Sequence, residues 1–92
     1  MQLEKLVAFH KTIGDVTRIR IISILANGPK HGQALAGILK LTAPTISHHL
    51  SKLKGINLVK DRREKNTVYY FLNEDVLKHY SSALPKMVST NG

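Results

Sequence analysis

Leu3, Leu6, Phe9 and Ile13 recur at three- and four-residue steps, with Glu4, Lys5 and Lys11 between them. That spacing predicts an amphipathic helix over residues 2–12. Gly14 interrupts it, and Asp15 is suited to cap a second helix, Val16–Ala26. The only polar positions in that helix are Thr17, Arg18, Arg20 and Ser23, so it is expected to be the most buried one. Asn27-Gly28-Pro29 stops it, because glycine accepts a left-handed cap and proline cannot continue a helix.

A short helix follows over Gly32–Leu39, with Leu35, Ile38 and Leu39 as its apolar stripe. After the tight connection Lys40-Leu41, Thr42 is placed to cap a fourth helix, Ala43–Lys54. Pro44 falls in its first turn, where a missing N–H is harmless. Ile46, Leu50 and Leu53 form its inner face. The period then changes. Leu58–Arg63 and Thr67–Leu72 are rich in strand formers, and Glu64-Lys65-Asn66 between them reads as a turn. Along the second strand, Tyr69, Tyr70 and Phe71 should alternate between core and wing surface. Asn73 caps a last helix, whose first turn holds Glu74 and Asp75 near the positive end of the dipole. Val76, Leu77, Tyr80 and Leu84 supply its apolar face, Pro85 should kink or end it, and Val88–Gly92 should fray.

Composition narrows the class. The 92 residues suit one domain, residues 1–92, that buries only about 60–65% of its unfolded surface and gains from pairing with a copy of itself. An ending so soon after a helix also fits a fragment of a longer protein. Fourteen Lys and Arg against six Asp and Glu give a net charge of +8, which favours polyanionic partners. With no cysteine, disulfides, zinc–cysteine sites and thiol catalysis are excluded, in keeping with a cytoplasmic protein. The longest apolar run, Ile21–Ala26, is too short to cross a bilayer, and Glu4, Lys5 and His10 interrupt any signal-peptide core.

The order of elements predicts a mainly α fold with a small β-hairpin, a winged helix-turn-helix of order ααααββα. Residues 31–39 and 42–54 form the helix-turn-helix and the hairpin is the wing. With Ile46, Leu50 and Leu53 turned inward, the fourth helix shows Thr45, Ser47, His48, Ser51 and Lys52 outward, and His49 at the margin. These side chains are short donors and acceptors with no acid among them, suited to a major groove. Lys40, Thr42 and Pro44 stand at the head of the same helix. Residues 40–65 hold seven Lys and Arg against Asp61 and Glu64, and Arg62, Arg63 and Lys65 lie near the hairpin tip, within reach of flanking phosphates or a minor groove.

Three stretches carry a family resemblance: Gly14-Asp15-Val16-Thr17-Arg18-Ile19-Arg20-Ile21, Leu41 through Leu50, and Arg62 through Tyr70. In this order and spacing, across about Leu3–Tyr80, the chain resembles the ArsR/SmtB family of bacterial winged-helix transcriptional repressors. The resemblance implies a homodimer built through residues 2–12 and 73–87, with Leu3, Leu6, Val76, Tyr80 and Leu84 as candidate contacts. It also implies binding of a double-stranded DNA operator by the Pro44–Lys52 helix, and release when an inducer binds, which the residues do not identify. The chain departs from the family at Val16, usually Pro, a mild loss of rigidity, and at Lys40 and Asn57, both usually Gly. A left-handed Lys40 would carry roughly 1 kcal/mol of strain. Asparagine is the next-best left-handed residue. Pro85 lies where the family's last helix often continues.

His48 and His49 are adjacent and point about 100° apart on a helix, a poor geometry for gripping one metal. Ser47 beside His48 makes no catalytic pair either, for want of a partner acid and an oxyanion hole. His48 is read as a groove contact, and His49 as packed under the helix or joined to a backbone contact. His10 and His31 read as surface or boundary residues. The family's cysteine metal site has no counterpart in Pro29–Leu35. Its site on the last helix finds only Asp75 and His79, with Leu77 where a histidine is wanted and no C-terminal histidine partner. Asp75 is therefore read as serving the helix dipole and His79 as solvated, and no cofactor is expected. Two rival readings stand beside the DNA-binding regulator: a metal-responsive sensor using Asp75 and His79, and a winged-helix protein-interaction adaptor. An enzyme finds no nucleophile–base arrangement or phosphate loop.

Overall fold

Helix boundaries follow from local capping. The computed structural model describes residues 3–89, with side chains to Ser82. Helix α1 spans Leu3–Ile13 and α2 Val16–Leu25. Extended Asp15 starts α2, its carboxylate accepting the Arg18 backbone N–H at 3.0 Å. Helix α3 spans Gly32–Leu39 and α4 Ala43–Gly55. At the head of α4 the Thr42 hydroxyl accepts the Thr45 backbone N–H at 3.4 Å and also bonds the Thr45 hydroxyl at 2.9 Å. His31, read from sequence as a boundary residue, is the cap of α3: its Nδ1 accepts the Ala34 N–H at 3.0 Å.

Two helix ends close through left-handed residues. Lys40 (φ 56°) ends α3, and the Leu41 N–H reaches back to the Ala36 carbonyl at 3.0 Å. Asn57 (φ 62°) follows α4, and the Leu58 N–H reaches the Leu53 carbonyl at 3.1 Å. Both are Schellman closures, which satisfy orphan carbonyls where the chain reverses. The strain anticipated at Lys40 is therefore present.

The hairpin forms as expected, but the sheet has three strands in the order β1-β3-β2. Strand β1 is the two-residue segment Lys30–His31, which pairs antiparallel with Tyr70 and Tyr69 of β3 (Thr67–Leu72). Two residues carry no periodicity, so the sequence pattern could not reveal it. Strand β2 spans Val59–Glu64 and pairs from Val59↔Leu72 to Glu64↔Thr67. Glu64 thus belongs to the strand, and the turn is Lys65-Asn66, with Lys65 also left-handed at φ 56°. Tyr70 and Leu72 pack against the core, whereas Tyr69 meets the His31 ring, so the expected alternation holds.

The core gathers Phe9, Ile21, Leu25, Leu35, Ile46, Leu50, Leu53, Leu58 and Val59. Helix α4 sends three residues inward, as its pattern requires. Helix α2 corrects the expectation of deepest burial: it buries only Ile21 and Leu25, while Val16 is 68% and Ile19 51% exposed. Apolar residues fall on nearly every side of this helix, so its pattern selects no face, and packing against α1, α4 and β3 leaves Val16 and Ile19 open. Helix α5, Glu74–Ser89, runs on through Pro85 rather than ending there. Proline deletes one i→i−4 bond but leaves the ladder beyond it available. Val88 and Ser89 are helical, and the rest of the expected frayed tail, 90–92, lies outside the described residues. Asn73 starts α5, its Oδ1 accepting the Val76 N–H at 3.4 Å.

Candidate nucleic-acid interface

The outward side of α4 is built by exclusion. Ile46, Leu50 and Leu53 are at most 2% exposed, so their neighbours at other phases must face away. Thr45, Ser47, His48, Ser51 and Lys52 are all exposed, as are Lys40, Thr42 and Pro44 at the helix head. Arg62, Arg63 and Lys65 are exposed on the hairpin. An open cleft of about 330 Å³ joins the two parts. Ser47, Ile46 and Leu50 line one wall, the tip residues Asn66, Thr67 and Val68 another, and His31, Gly32 and Gln33 at the start of α3 a third. A smaller hollow continues along α4 past Ser47, Ser51 and Lys54 to Tyr70. Helix face and wing tip therefore share one side of the molecule.

Two ion pairs shape the electrostatics. Lys54 Nζ lies 2.6 Å from Asp61 Oδ2, joining the end of α4 to β2. The hydrogen bond to Asp61 is the main reason the Lys54 ammonium titrates above its ordinary range. Arg62 meets Glu64 at 2.9 Å, two residues apart on one face of β2. The acid count of the wing thus understates its effect, because Glu64 sits directly on one of the cations expected to meet phosphate.

Of the two readings of His49, packed under the helix or joined to a backbone contact, the geometry matches the first. Its side chain is 15% exposed, and its Nδ1 accepts the Arg18 Nε–H at 3.1 Å and stands 3.8 Å from Asp15 Oδ2. The ring faces the start of α2 rather than the outward side of α4, so it stands apart from the other candidate contacts. His48 faces out, and the two ring centroids are 5.9 Å apart with their planes at 64°. Three residues outside the candidate contact set also line the cleft: Gln33, Asn66 and Thr67. No periodic signal marks them, since each lies at a helix start, a turn or a strand end brought in by the fold.

The expected dimer contacts divide. Leu3 is 56% exposed, but Leu6 is 3% exposed and belongs to the chain's own interior. Tyr80 stacks on Phe9 at 4.8 Å, and Val76 packs against the core. Leu84 lies outside the residues whose side chains are described. The outward partner of Leu3 is Val7, four residues on and 48% exposed. Asp75 and His79 are both exposed, and the described residues hold no group of three or more His, Cys, Asp or Glu arranged for a metal. No helix among them is long and apolar enough to cross a membrane.

A helix-turn-helix followed by a wing, with a polar helix face and cationic strand on one side, defines a winged-helix DNA-binding domain. The sequence profile of the bacterial regulatory protein arsR family matches residues 15–61. The HTH-type transcriptional regulator MJ1325 of Methanocaldococcus jannaschii is 40% identical over 76 residues, 82% of this chain and 85% of the relative. The transcriptional repressor SdpR of Bacillus subtilis is 37% identical over 74% of this chain and 76% of its own length. Among solved structures, the homodimeric winged helix-turn-helix DNA-binding domain of Mb0332 from Mycobacterium bovis superposes with a TM-score of 0.78 at 30% identity, covering 96% of this chain and 81% of that one. The chain belongs to the arsR family of bacterial regulatory proteins. It is a DNA-binding transcriptional regulator, and not an enzyme.

Proposed function

We propose that the protein acts as a homodimeric repressor that reads a two-fold operator in double-stranded DNA. Thr45, Ser47, His48, Ser51 and Lys52 enter the major groove, with Lys40, Thr42 and Pro44 against the backbone at the helix head. Arg62, Arg63 and Lys65 hold the flanks. One observation carries this reading: the exposed face of α4 has no acid and shares a cleft with the wing tip. An acid-free donor–acceptor surface meets base edges without like-charge repulsion, and the cations beside it meet phosphates. The outward Leu3–Val7 stripe supports pairing of two copies. The homodimeric Mb0332 domain and the repressor SdpR give the same direction by similarity.

Selection of bound duplexes from a random library tests it. Two related half-sites about 10 bp apart, or a multiple of that spacing, are expected. If 6–10 phosphates are neutralised, affinity drops ~10³–10⁵-fold between about 50 and 200 mM salt. Selected duplexes with no common sequence, or binding indifferent to salt, would count against it.

A further inference from the structure

Arg18 touches three helices at once. Its backbone is in the first turn of α2, its Nη1 donates to the Thr12 carbonyl of α1 at 3.1 Å, and its Nε donates to His49 Nδ1 of α4 at 3.1 Å. The last contact spans 31 residues of sequence. It requires His49 Nδ1 to be a bare acceptor, so the ring is neutral with its proton on Nε2. Guanidinium does not give up its protons in this range, so only the imidazole can change the contact.

We propose that Arg18 is a positioning residue that seats the recognition helix through His49, and that the seat holds only while His49 is neutral. The inference rests on the reading of α4 as the groove-entering helix. Protonation places an N–H on Nδ1, facing the Arg18 N–H that it previously accepted. The hydrogen bond is lost and two cations come within 3.1 Å in its place. Asp15 Oδ2, 3.8 Å away, then becomes the favoured partner of the ring. That same oxygen already accepts the Arg18 backbone N–H as the α2 cap, so the imidazolium competes for a carboxylate in use. The ionisable groups in contact with His49 are thus Arg18 and Asp15 from α2 and its cap, and His48 on α4. Helix α1 acts only through the Thr12 carbonyl that holds Arg18. Among the described residues, no hydrogen bond or ion pair joins α3 or β2 to this ring.

The sign of the effect separates it from ordinary electrostatics. A protonated imidazole away from the base edges adds positive charge and tightens binding to every duplex alike, whereas His48, on the base-reading face, contributes the part of any pH response that His49→Gln keeps. Unseating α4 misaligns base-edge contacts and lowers the preference for operator over random DNA. The ratio of the two affinities cancels the general effect and keeps the specific one. The measurements run from about pH 8 to 5.5, within the span over which imidazole side chains in general change charge.

The test measures operator and random-duplex affinity across that range for the wild type, His49→Gln and Arg18→Ala. The wild-type ratio is expected to fall about tenfold or more as pH drops, the scale of one hydrogen bond to a charged group. His49→Gln should remove most of that fall, because an amide carbonyl accepts from Arg18 at any pH in the range. Arg18→Ala should be poor in discrimination already at pH 8, and should likewise lose most of the fall. Urea midpoints at each pH identify an unfolded variant; if Arg18→Ala fails to fold, His49→Gln decides alone. Nitrogen-15 shifts of the His49 ring in DNA-free protein at pH 8 should report the Nε2–H tautomer; the other tautomer overturns the proposal. So does a wild-type ratio that stays level, or a His49→Gln variant that keeps the wild-type fall. Absence of any operator preference at pH 8 instead removes the functional reading on which it rests. Preference at pH 8 that persists unchanged to pH 5.5 leaves that reading intact and ends only the role of Arg18.

Discussion

The Lys54 ammonium and the Asp61 carboxylate meet at 2.6 Å, so the C-terminal turn of the recognition helix is tied directly to the first strand of the wing. Both side chains are about two-fifths exposed, at 43% and 38%. Water screens such pairs, and their contribution is on the order of 0.2–1 kcal/mol. Because the folded-state value of Lys54 is raised above its ordinary 10.5, the contribution is fully present below pH 10.5. It is lost as pH climbs through the raised value. Asp61→Asn should lower the urea midpoint slightly at pH 8. Its difference from the wild type should shrink toward zero at strongly alkaline pH, whereas a difference independent of pH would deny the ion pair this role.

Lys40 and Lys65 are both left-handed, at φ 56°, in positions where glycine would be unstrained. Both also belong to the proposed DNA-contacting set. Lys40→Gly and Lys65→Gly should each stabilise the fold by roughly 0.5–1 kcal/mol, relief of strain being partly offset by the freer unfolded chain. Each should weaken DNA binding and reduce the slope of log affinity against log salt by about one. Thermal melts and salt titrations check the two halves separately. A variant that gains stability with no change in slope would show that its lysine meets no phosphate.

Glu64 holds Arg62 at 2.9 Å and carries a negative charge toward any phosphate that Arg62 approaches. Glu64→Gln should therefore tighten binding to all duplexes, by about two- to fivefold at low salt, with the gain fading as ions screen it. Arg62→Ala should weaken binding uniformly across sequences, while Ser47→Ala and His48→Ala should change which bases are preferred. Binding profiles against a panel of single-base operator variants separate these outcomes. A shifted base preference in Arg62→Ala would reverse the assigned roles.

Leu3 and Val7 form the outward stripe of α1, at 56% and 48% exposure. If two copies meet there, Val7→Asp buries an unpaired charge in the contact and should convert the dimer to monomer in sedimentation. Operator affinity should then fall by about a hundredfold, because each half-site binds without the effective concentration supplied by its twin. Val7→Asp remaining dimeric would place the contact elsewhere.

What the sequence revealed depended on whether the information was local. Asp15 and Thr42 announce their helices because a cap acts over three residues. Ile46, Leu50 and Leu53 announce the inner face of α4 because their spacing has one phase. Helix α2 has no such phase, since apolar side chains lie on nearly every side of it, and so nothing in its pattern singles out Val16 and Ile19 as exposed. Helix α1 has too wide a stripe: Leu3, Leu6 and Val7 all suit an interface, and only packing against the rest of the chain turns Leu6 inward. His49 was separable from His48 by helical geometry, but the side chain that claims it, Arg18, lies 31 residues earlier. The cleft residues Gln33, Asn66 and Thr67 come together only when α3 and the hairpin tip meet. The Arg62–Glu64 pair is a two-residue step along a strand, and was legible in principle once the strand was extended to Glu64.

The strand order β1-β3-β2 leaves β2 as an open border of the sheet, and from Lys60 to Glu64 every residue on it is exposed and charged. Unpaired strand borders invite other chains to add on, the first step toward aggregates, and dense charge is a common defence. The opposite border is a strand of two residues, too short to template another. Crowded copies of this protein are thereby steered away from ribbon-like stacking, and self-association is left to the helical side of the molecule.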